Sequence, residues 1–421
     1  MGAGTLIELI ARGNQDTYLI GNPNFTYFKS IYRRCTNFSI EPIRQIFTES
    51  PDFGKRVTCI IDKKGDLLSD ILIEIELPDM PQNYISPTET RSVSWTNGIG
   101  NFMIDWVEVQ FGGEPIDRIT GDMLDTWMEL TSELGIKDTL YNMVGKFISF
   151  NKSIQKTAIK LLVPLPFWFC RSIERSLPLI SMQYTDIKIV VQFKTFDKCW
   201  YSIPYTDPNT TSDKPDKSVM ISKANLICNY VYLDVFERTK IAKQDGGEYL
   251  IEQFQQTNTY QVSNNIINVT ARIYFNHPVK EIFWMYRSTI ALNNNDYYNY
   301  GNVNTSTYGT SASKPIEPFD NIHLRYNGND RFEQLPATFF RLYQPYKHHS
   351  CGTKQYIYIY SFALSPETLD PSGTCNFSKI DNATLNFTCT PNITDGMIYI
   401  YATNYNILRI KNGMAGLMFS S

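Results

Sequence analysis

The chain is poor in the residue types on which most enzymatic chemistry is built. Only four histidines occur in 421 residues (His277, His323, His348 and His349), and the eight cysteines stand singly, without a CxxC pair of the kind that marks a zinc ribbon or a redox dithiol. A phosphate loop is missing: Gly145-Lys146 runs into Phe147 and lacks the upstream glycine. The Gly2/Gly4 and Gly98/Gly100 pairs lack the third glycine of a dinucleotide fingerprint, and HExxH, GxSxG and EF-hand patterns are absent. Charge is sparse, 19% against roughly 25% in an average domain, and the net charge of −3 provides no general positive field for nucleic acid. No apolar run reaches the roughly 18 residues of a membrane helix, the best, Leu161 to Cys170, being broken by Pro164 and Pro166. These absences lead us to expect a soluble protein with no catalytic, cofactor or metal site and no specific nucleic-acid partner.

The few chemically suggestive residues have structural alternatives. His348 and His349 could ligate a metal, but neighbours on a strand point to opposite faces. Cys351 beside His349 could form a nucleophile pair, yet no third, orienting group is identifiable. Leu6 to Ala11 is interrupted by Glu8 and has no basic segment before it, so a secretory leader is not expected, and Leu6 stands where a myristoylation signal wants Ser or Thr. Free, buried thiols are then expected rather than disulfides. The N-x-Ser/Thr sequons, Asn304, Asn382 and Asn392 among them, count as glycan candidates only in a secretory lumen and are otherwise chance in an Asn-rich chain.

What is present is β structure with a generous core. Aromatic residues make up 14% of the chain. Ile71, Ile73, Ile75 and Leu77 alternate with Leu72, Glu74 and Glu76, and Val107, Val109 and Phe111 alternate with Glu108 and Gln110 before Gly112-Gly113 turns the chain toward Ile116 and Ile119. Ile187 to Phe193 repeats the pattern, and strands are predicted again at Leu226 to Val235, Ile357 to Ala363 and Met397 to Tyr401. One helix interrupts, with Leu124, Trp127, Met128 and Thr131 on one face and Asp122 near its positive end. Thr5 to Glu8 has capping-box spacing and predicts a short opening helix. The tract Asn293 to Ser313 reads as a long surface loop. A Pro-, Asp-, Thr- and Ser-rich stretch divides the chain, so the predicted organisation is an arm at 1–24, a β domain at 25–201, a linker at 202–223 and a second β domain at 224–421. Tyr27, Phe28, Tyr32, Arg33 and Arg34 form a basic-aromatic cluster that could stack bases, or pack the arm on the first domain or on a neighbouring subunit; the second reading is preferred.

The same N-terminal stretch carries a resemblance. Asn14 to Pro23, continuing through Thr26-Tyr27-Phe28-Lys29, Tyr32-Arg33-Arg34 and Thr36-Asn37-Phe38, resembles the opening of major capsid proteins from nucleocytoplasmic large DNA viruses. Further matches follow in order: Gly65-Asp66-Leu67-Leu68, Trp95-Thr96-Asn97, Pro166 to Arg171, Asn276 to Glu281, Gln344-Pro345-Tyr346, Pro371 to Ser378, and Gly413 to Leu417. The resemblance implies an all-β double jelly roll, two tandem eight-stranded antiparallel sandwiches, of which three copies make a pseudo-hexagonal capsomer in an icosahedral shell, assembled in the host cytoplasm. The implied partners are further copies of the chain, neighbouring capsomers, minor capsid and penton proteins and inner membrane proteins, the last two reached through an arm carrying Lys29, Arg33 and Arg34. A minor capsid or scaffold double-barrel protein, and a carbohydrate-binding or hydrolytic jelly roll, are the alternatives.

Overall fold

A computed structural model describes residues 3–16, 20–30, 34–80, 92–147, 157–203, 219–243, 247–303, 315–352 and 355–419. The chain divides into an arm, Met1–Asn37, and a body, Phe38–Ser421, so the arm ends later than the expected residue 24. The arm contains the helix Ala3–Ile10, which begins ahead of Thr5 and leaves Leu6, Ile7, Leu9 and Ile10 exposed.

The first half of the body holds β1 (Phe38–Ile46), β2 (Arg56–Ile60), β3 (Leu67–Leu77), β4 (Ser92–Trp95), β5 (Ile104–Phe111), β6 (Glu114–Thr120), β7 (Ile159–Pro164), β8 (Ile187–Phe193), β9 (Trp200–Ile203) and β10 (Lys223–Leu233). The second holds β11 (Gly247–Gln256), β12 (Tyr260–Val262), β13 (Asn268–Ile273), β14 (Pro278–Ser288), β15 (Phe319–Tyr326), β16 (Asn329–Asp330), β17 (Leu335–Pro336), β18 (Ile357–Ser361), β19 (Cys375–Asn376), β20 (Ala383–Cys389), β21 (Gly396–Lys411) and β22 (Met414–Leu417).

Both halves are wound alike. The first pairs its strands in the orders β1-β10-β3-β7 and β2-β8-β5-β6, the second in the orders β11-β21-β14-β18 and β13-β20-β15-β16. Counting the eight barrel strands of each half from its N-terminus, both give 1-8-3-6 facing 2-7-4-5, the antiparallel jelly-roll order. The expected all-β double jelly roll is therefore present, although the halves share no visible sequence repeat. The turns follow local chemistry: Gly112 and Gly113 adopt φ of 59° and 95° between β5 and β6, while Asn327-Gly328 and Asn412-Gly413 supply positive φ at the β15–β16 and β21–β22 turns.

Two expectations are corrected. β10, which follows the connector, lies between β1 and β3 and completes the first barrel, so this strand does not open the second domain. Most of the connector, 204–218, lies outside the described residues. The tract from Asn293 is no surface loop at its start: Asn295, Tyr297, Tyr300, Asn302 and Val303 are buried, because tyrosine rings there fill space between the halves. Its continuation, 304–314, lies outside the described residues.

The barrels share a core. Phe283 and Met285 of β14 pack with the first barrel's cluster, together with Tyr297, Tyr300, Ile357, Ile359 and Tyr401. Ile282, Trp284 and Tyr286, alternating with them, face the second barrel's own interior. The sheet holding β14 is thus apolar on both faces and is covered on both.

Candidate assembly surfaces and the seam between the barrels

The seam is built around the predicted helix, which runs Gly121–Thr131 and is capped by Thr120, whose Oγ1 accepts from the Met123 N–H at 3.3 Å. A Cβ at Gly121 would lie 2.3 Å from the Ile104 carbonyl oxygen and 2.4 Å from that of Asn101, so only glycine lets the helix start this close to β5. In its first turn Asp122 accepts from Arg287 Nη2 at 2.8 Å, and Arg287 Nε donates to the Tyr297 carbonyl at 2.8 Å. Burial pushes the Asp122 carboxyl up, but the Arg287 charge outweighs it and holds the group below the usual carboxylate range. The guanidinium also lies over the Tyr300 ring, 4.7 Å from its centre.

A second knot joins Glu252 of β11 to Arg171, to Lys280 Nζ at 2.7 Å and to Arg175 at 3.6 Å. Arg171 covers the Trp127 ring at 4.1 Å and donates from Nε to the Pro166 carbonyl at 3.0 Å. Edge groups of the two barrels meet where the Phe254 N–H donates to Asp117 Oδ1 at 2.9 Å, and burial pushes the Asp117 carboxyl up to about 7. Asn295 Nδ2 donates to the carbonyls of Asp197 and Trp200 at 2.8 and 2.7 Å. Tyr184 N donates to Gly413 O at 3.0 Å, and Ala415 N to Thr185 Oγ1 at 2.9 Å. These contacts, with the shared core, make the two barrels one body.

A third cluster pins a loop of the second barrel. The His349 side chain is fully buried, with Nε2 2.8 Å from Glu281 Oε2 and Nδ1 3.0 Å from Glu367 Oε1. Glu367 also accepts from the Ser350 backbone N–H at 2.9 Å. Burial alone would drive the imidazole pKa down; the two carboxylates reverse this and hold it near 9. Both ring nitrogens are occupied, so His349 has none left to activate the buried Cys351, whose thiol donates to the Gly352 carbonyl. The neighbouring His348 turns away to the Leu364 carbonyl oxygen, 3.0 Å from Nδ1, so the histidine pair does not converge. Among the described residues no cluster of His, Cys, Asp or Glu is arranged to hold a metal, and no helix is long and apolar enough to cross a membrane.

The remaining candidates lie on surfaces. Lys29 and Arg34 are exposed on the arm, as are Tyr27 and Phe28; Tyr32 and Arg33 lie outside the described residues. Asn382 and Asn392 are exposed at turns, Asn392 with φ of 66°, and Asn304 lies outside the described residues. Missed at the sequence level were the apolar outer surfaces. β1 is an edge strand with Phe38, Ile40 and Ile46 in solvent, and the second barrel exposes Leu342, Tyr343, Tyr346 and Leu364 around the segment that leads to His348. No sequence signal marked them, since an exposed apolar residue has the same identity as a buried one until the fold sets which face is covered. By contrast Trp95, Trp127, Trp168 and Trp284 are buried in the two core clusters.

Comparison with known proteins fits this architecture. The family described as major capsid protein N-terminus matches residues 26–234, and that described as large eukaryotic DNA virus major capsid protein matches 237–416. The major capsid protein of Pyramimonas orientalis virus is 37% identical over 100% of both chains. This chain belongs to the major capsid proteins of the large eukaryotic DNA viruses. The major capsid protein of Paramecium bursaria Chlorella virus 1 is 33% identical, again over 100% of both chains. Its capsid, in the quasi-atomic PBCV-1 structure, aligns with a TM-score of 0.78 at 29% identity, covering 94% of this chain and 100% of that one. The Faustovirus major capsid protein, 14% identical, shares the fold with a TM-score of 0.76 over 97% of this chain and 96% of its own. The role of this chain is that of a structural major capsid protein.

Proposed function

We propose that three copies of this chain associate into a pseudo-hexagonal capsomer, and that capsomers tile an icosahedral shell assembled in the host cytoplasm. The observation that carries the reading is the identical winding of two barrels fused into one body: three such bodies present six similar barrels around an axis. The strand pairings support domains of 38–233 and 247–417, with the arm of 1–37 left to reach minor capsid, penton or inner membrane proteins through Lys29, Arg33 and Arg34. The exposed apolar residues of β1 and of the Leu342 to Leu364 region supply surface of the kind that obligate interfaces bury. We assign no catalytic activity. The tryptophans argue against a glycan-binding groove: five are in the core, and the sixth, Trp106, has Arg56 and Arg118 over its ring at 5.3 and 4.4 Å.

Light scattering on the purified protein tests the assembly. Three times the chain mass across a wide concentration range is expected. A well-folded monomer over the same range would overturn the capsomer reading.

A further inference from the structure

The Gly145-Lys146 step, which is no phosphate loop, instead places an ammonium in a buried cluster of carboxylates and tyrosines. Gly145 is the left-handed C-cap of the helix Leu134–Val144, with φ of 69°, and Lys146 follows with its backbone N–H donating to the Tyr141 carbonyl at 2.7 Å. The Lys146 ammonium touches Asp125 and lies 2.8 Å from Glu129 Oε1. Side-chain exposure is 0% for Lys146 and Asp125 and 3% for Glu129. Asp125 and Glu129 stand one turn apart on the helix Gly121–Thr131. Tyr300 donates its hydroxyl to Asp125 Oδ2 at 2.6 Å, Tyr141 donates to Glu129 Oε1 at 2.7 Å, and the Tyr298 ring lies 4.2 Å from Lys146 Nζ. Desolvation offsets most of the attraction in a buried ion pair, so stability alone is a weak account of an amine held against one carboxylate with a second in reach.

We propose that Lys146 and Asp125 condense to an intramolecular amide, with Glu129 as proton carrier. Glu129 takes one proton from the ammonium, which frees the nitrogen lone pair, and passes it to Asp125 Oδ1, so that the carboxyl is a neutral acid. Nζ attacks Asp125 Cγ while Tyr300 stabilises the charge developing on Oδ2. Glu129 carries a second proton from the nitrogen to Oδ1, and the Cγ–Oδ1 bond breaks to release water. An ammonium and a carboxylate thus give one amide and one water; Glu129 ends as it began, and no oxidant or activated donor is needed. Three features favour the step: fixed juxtaposition replaces a bimolecular encounter, two buried charges disappear, and the water-poor surroundings protect the product. The bond would staple the two helices that face the seam, and it does not depend on trimer formation.

Mass spectrometry of the denatured full-length protein after digestion decides the matter. In the wild type, the peptides containing Asp125 and Lys146 should appear as one branched species lighter than their sum by one water, and Lys146→Arg should abolish it. Glu129→Gln should slow its appearance during incubation of the folded protein. If Lys146→Arg does not fold, the wild-type spectrum alone remains decisive. Separate peptides at full mass, with a Lys146 amine that acetylates after denaturation even when the folded protein has been incubated at length, would overturn the proposal.

Discussion

Alkaline solution should weaken this protein through a single buried imidazole. The His349 pKa is held near 9 against an ordinary value of 6.5, and its side chain is fully buried, so solvent screening gives no reason to discount the effect. At about 1.4 kcal/mol per pH unit the difference corresponds to roughly 3 kcal/mol of native-state stability. The pKa is raised on folding, so this stabilisation is complete below 6.5, declines as pH rises, and is gone above about 9. Neutral His349 would leave Glu281 and Glu367 without their shared cation, freeing the loop that Glu367 ties down. The acid limb has the opposite sign: burial raises the Glu367 pKa, but hydrogen bonds from His349 and Ser350 outweigh it and hold it below the ordinary 4.5, so its contribution is lost as pH falls through that lower value.

The assay is the urea midpoint at fixed protein concentration, because oligomer stability depends on concentration, for wild type and His349→Gln. Between about pH 6 and about pH 9.5 the wild type should lose roughly 3 kcal/mol relative to the variant, since other titrating groups cancel in the difference. Glutamine retains hydrogen bonding but cannot carry the charge. Parallel stability curves for the two proteins across this range would refute the reasoning, whatever their absolute offset.

Arg287→Gln should cost about 3 kcal/mol in denaturant unfolding, because it leaves the mostly buried Asp122 without its hydrogen-bonded cation and with only the Lys194 charge nearby, and the pair Asp122→Asn with Arg287→Met should recover part of the loss. Gly121→Ala should abolish soluble expression or lower the thermal midpoint sharply, since the new methyl would collide with two backbone carbonyl oxygens and no side-chain movement relieves it; a near-wild-type midpoint would contradict the packing. Maleimide at neutral pH should label exposed Cys35 quickly in the native protein and leave Cys59, Cys199 and Cys389 unlabelled, because burial pushes their thiols up to about 12, 12 and 11; peptide mapping before and after unfolding checks this.

The strands that could be seen in the sequence were those with one wet face. β3, β5 and β8 alternate because one side of each meets a barrel interior and the other stays partly solvated. β14, the most buried strand of the second barrel, has no such period: Phe283 and Met285 face one core while Ile282, Trp284 and Tyr286 face another, so both sets are apolar. Periodicity fails where a strand is covered twice. The connector separated two compositions correctly but misled on domain membership, since β10 returns across it to fill the gap between β1 and β3. The seam was hidden for a different reason. Asp122 and Arg287 are 165 residues apart, and neither neighbourhood marks its residue as half of a pair. Even the tyrosines of the Asn293 tract, polar in their local company, are core only because the facing half supplies Phe102 against Tyr297 and Asp125 against Tyr300.

These charges also explain how a duplicated winding can serve one rigid purpose. Two barrels joined only by a connector would reorient freely, as domains with small polar interfaces do. Here the junction combines a continuous apolar core, which favours contact but sets no register, with directional pairs that do: Arg287 to Asp122, Arg171 to Glu252, and Asn295 to two carbonyls. Each pair is satisfied in one arrangement, and a slip of a few ångströms would strand a buried charge at a cost of several kcal/mol. In the proposed capsomer this constraint matters beyond one chain. A trimer closes only if the angle between its contact surfaces is fixed, and the exposed apolar patches proposed for that role lie on different barrels, at β1 and around Tyr346. Weakening the seam, as in Arg287→Gln, should therefore lower trimer yield even though Arg287 is buried far from solvent.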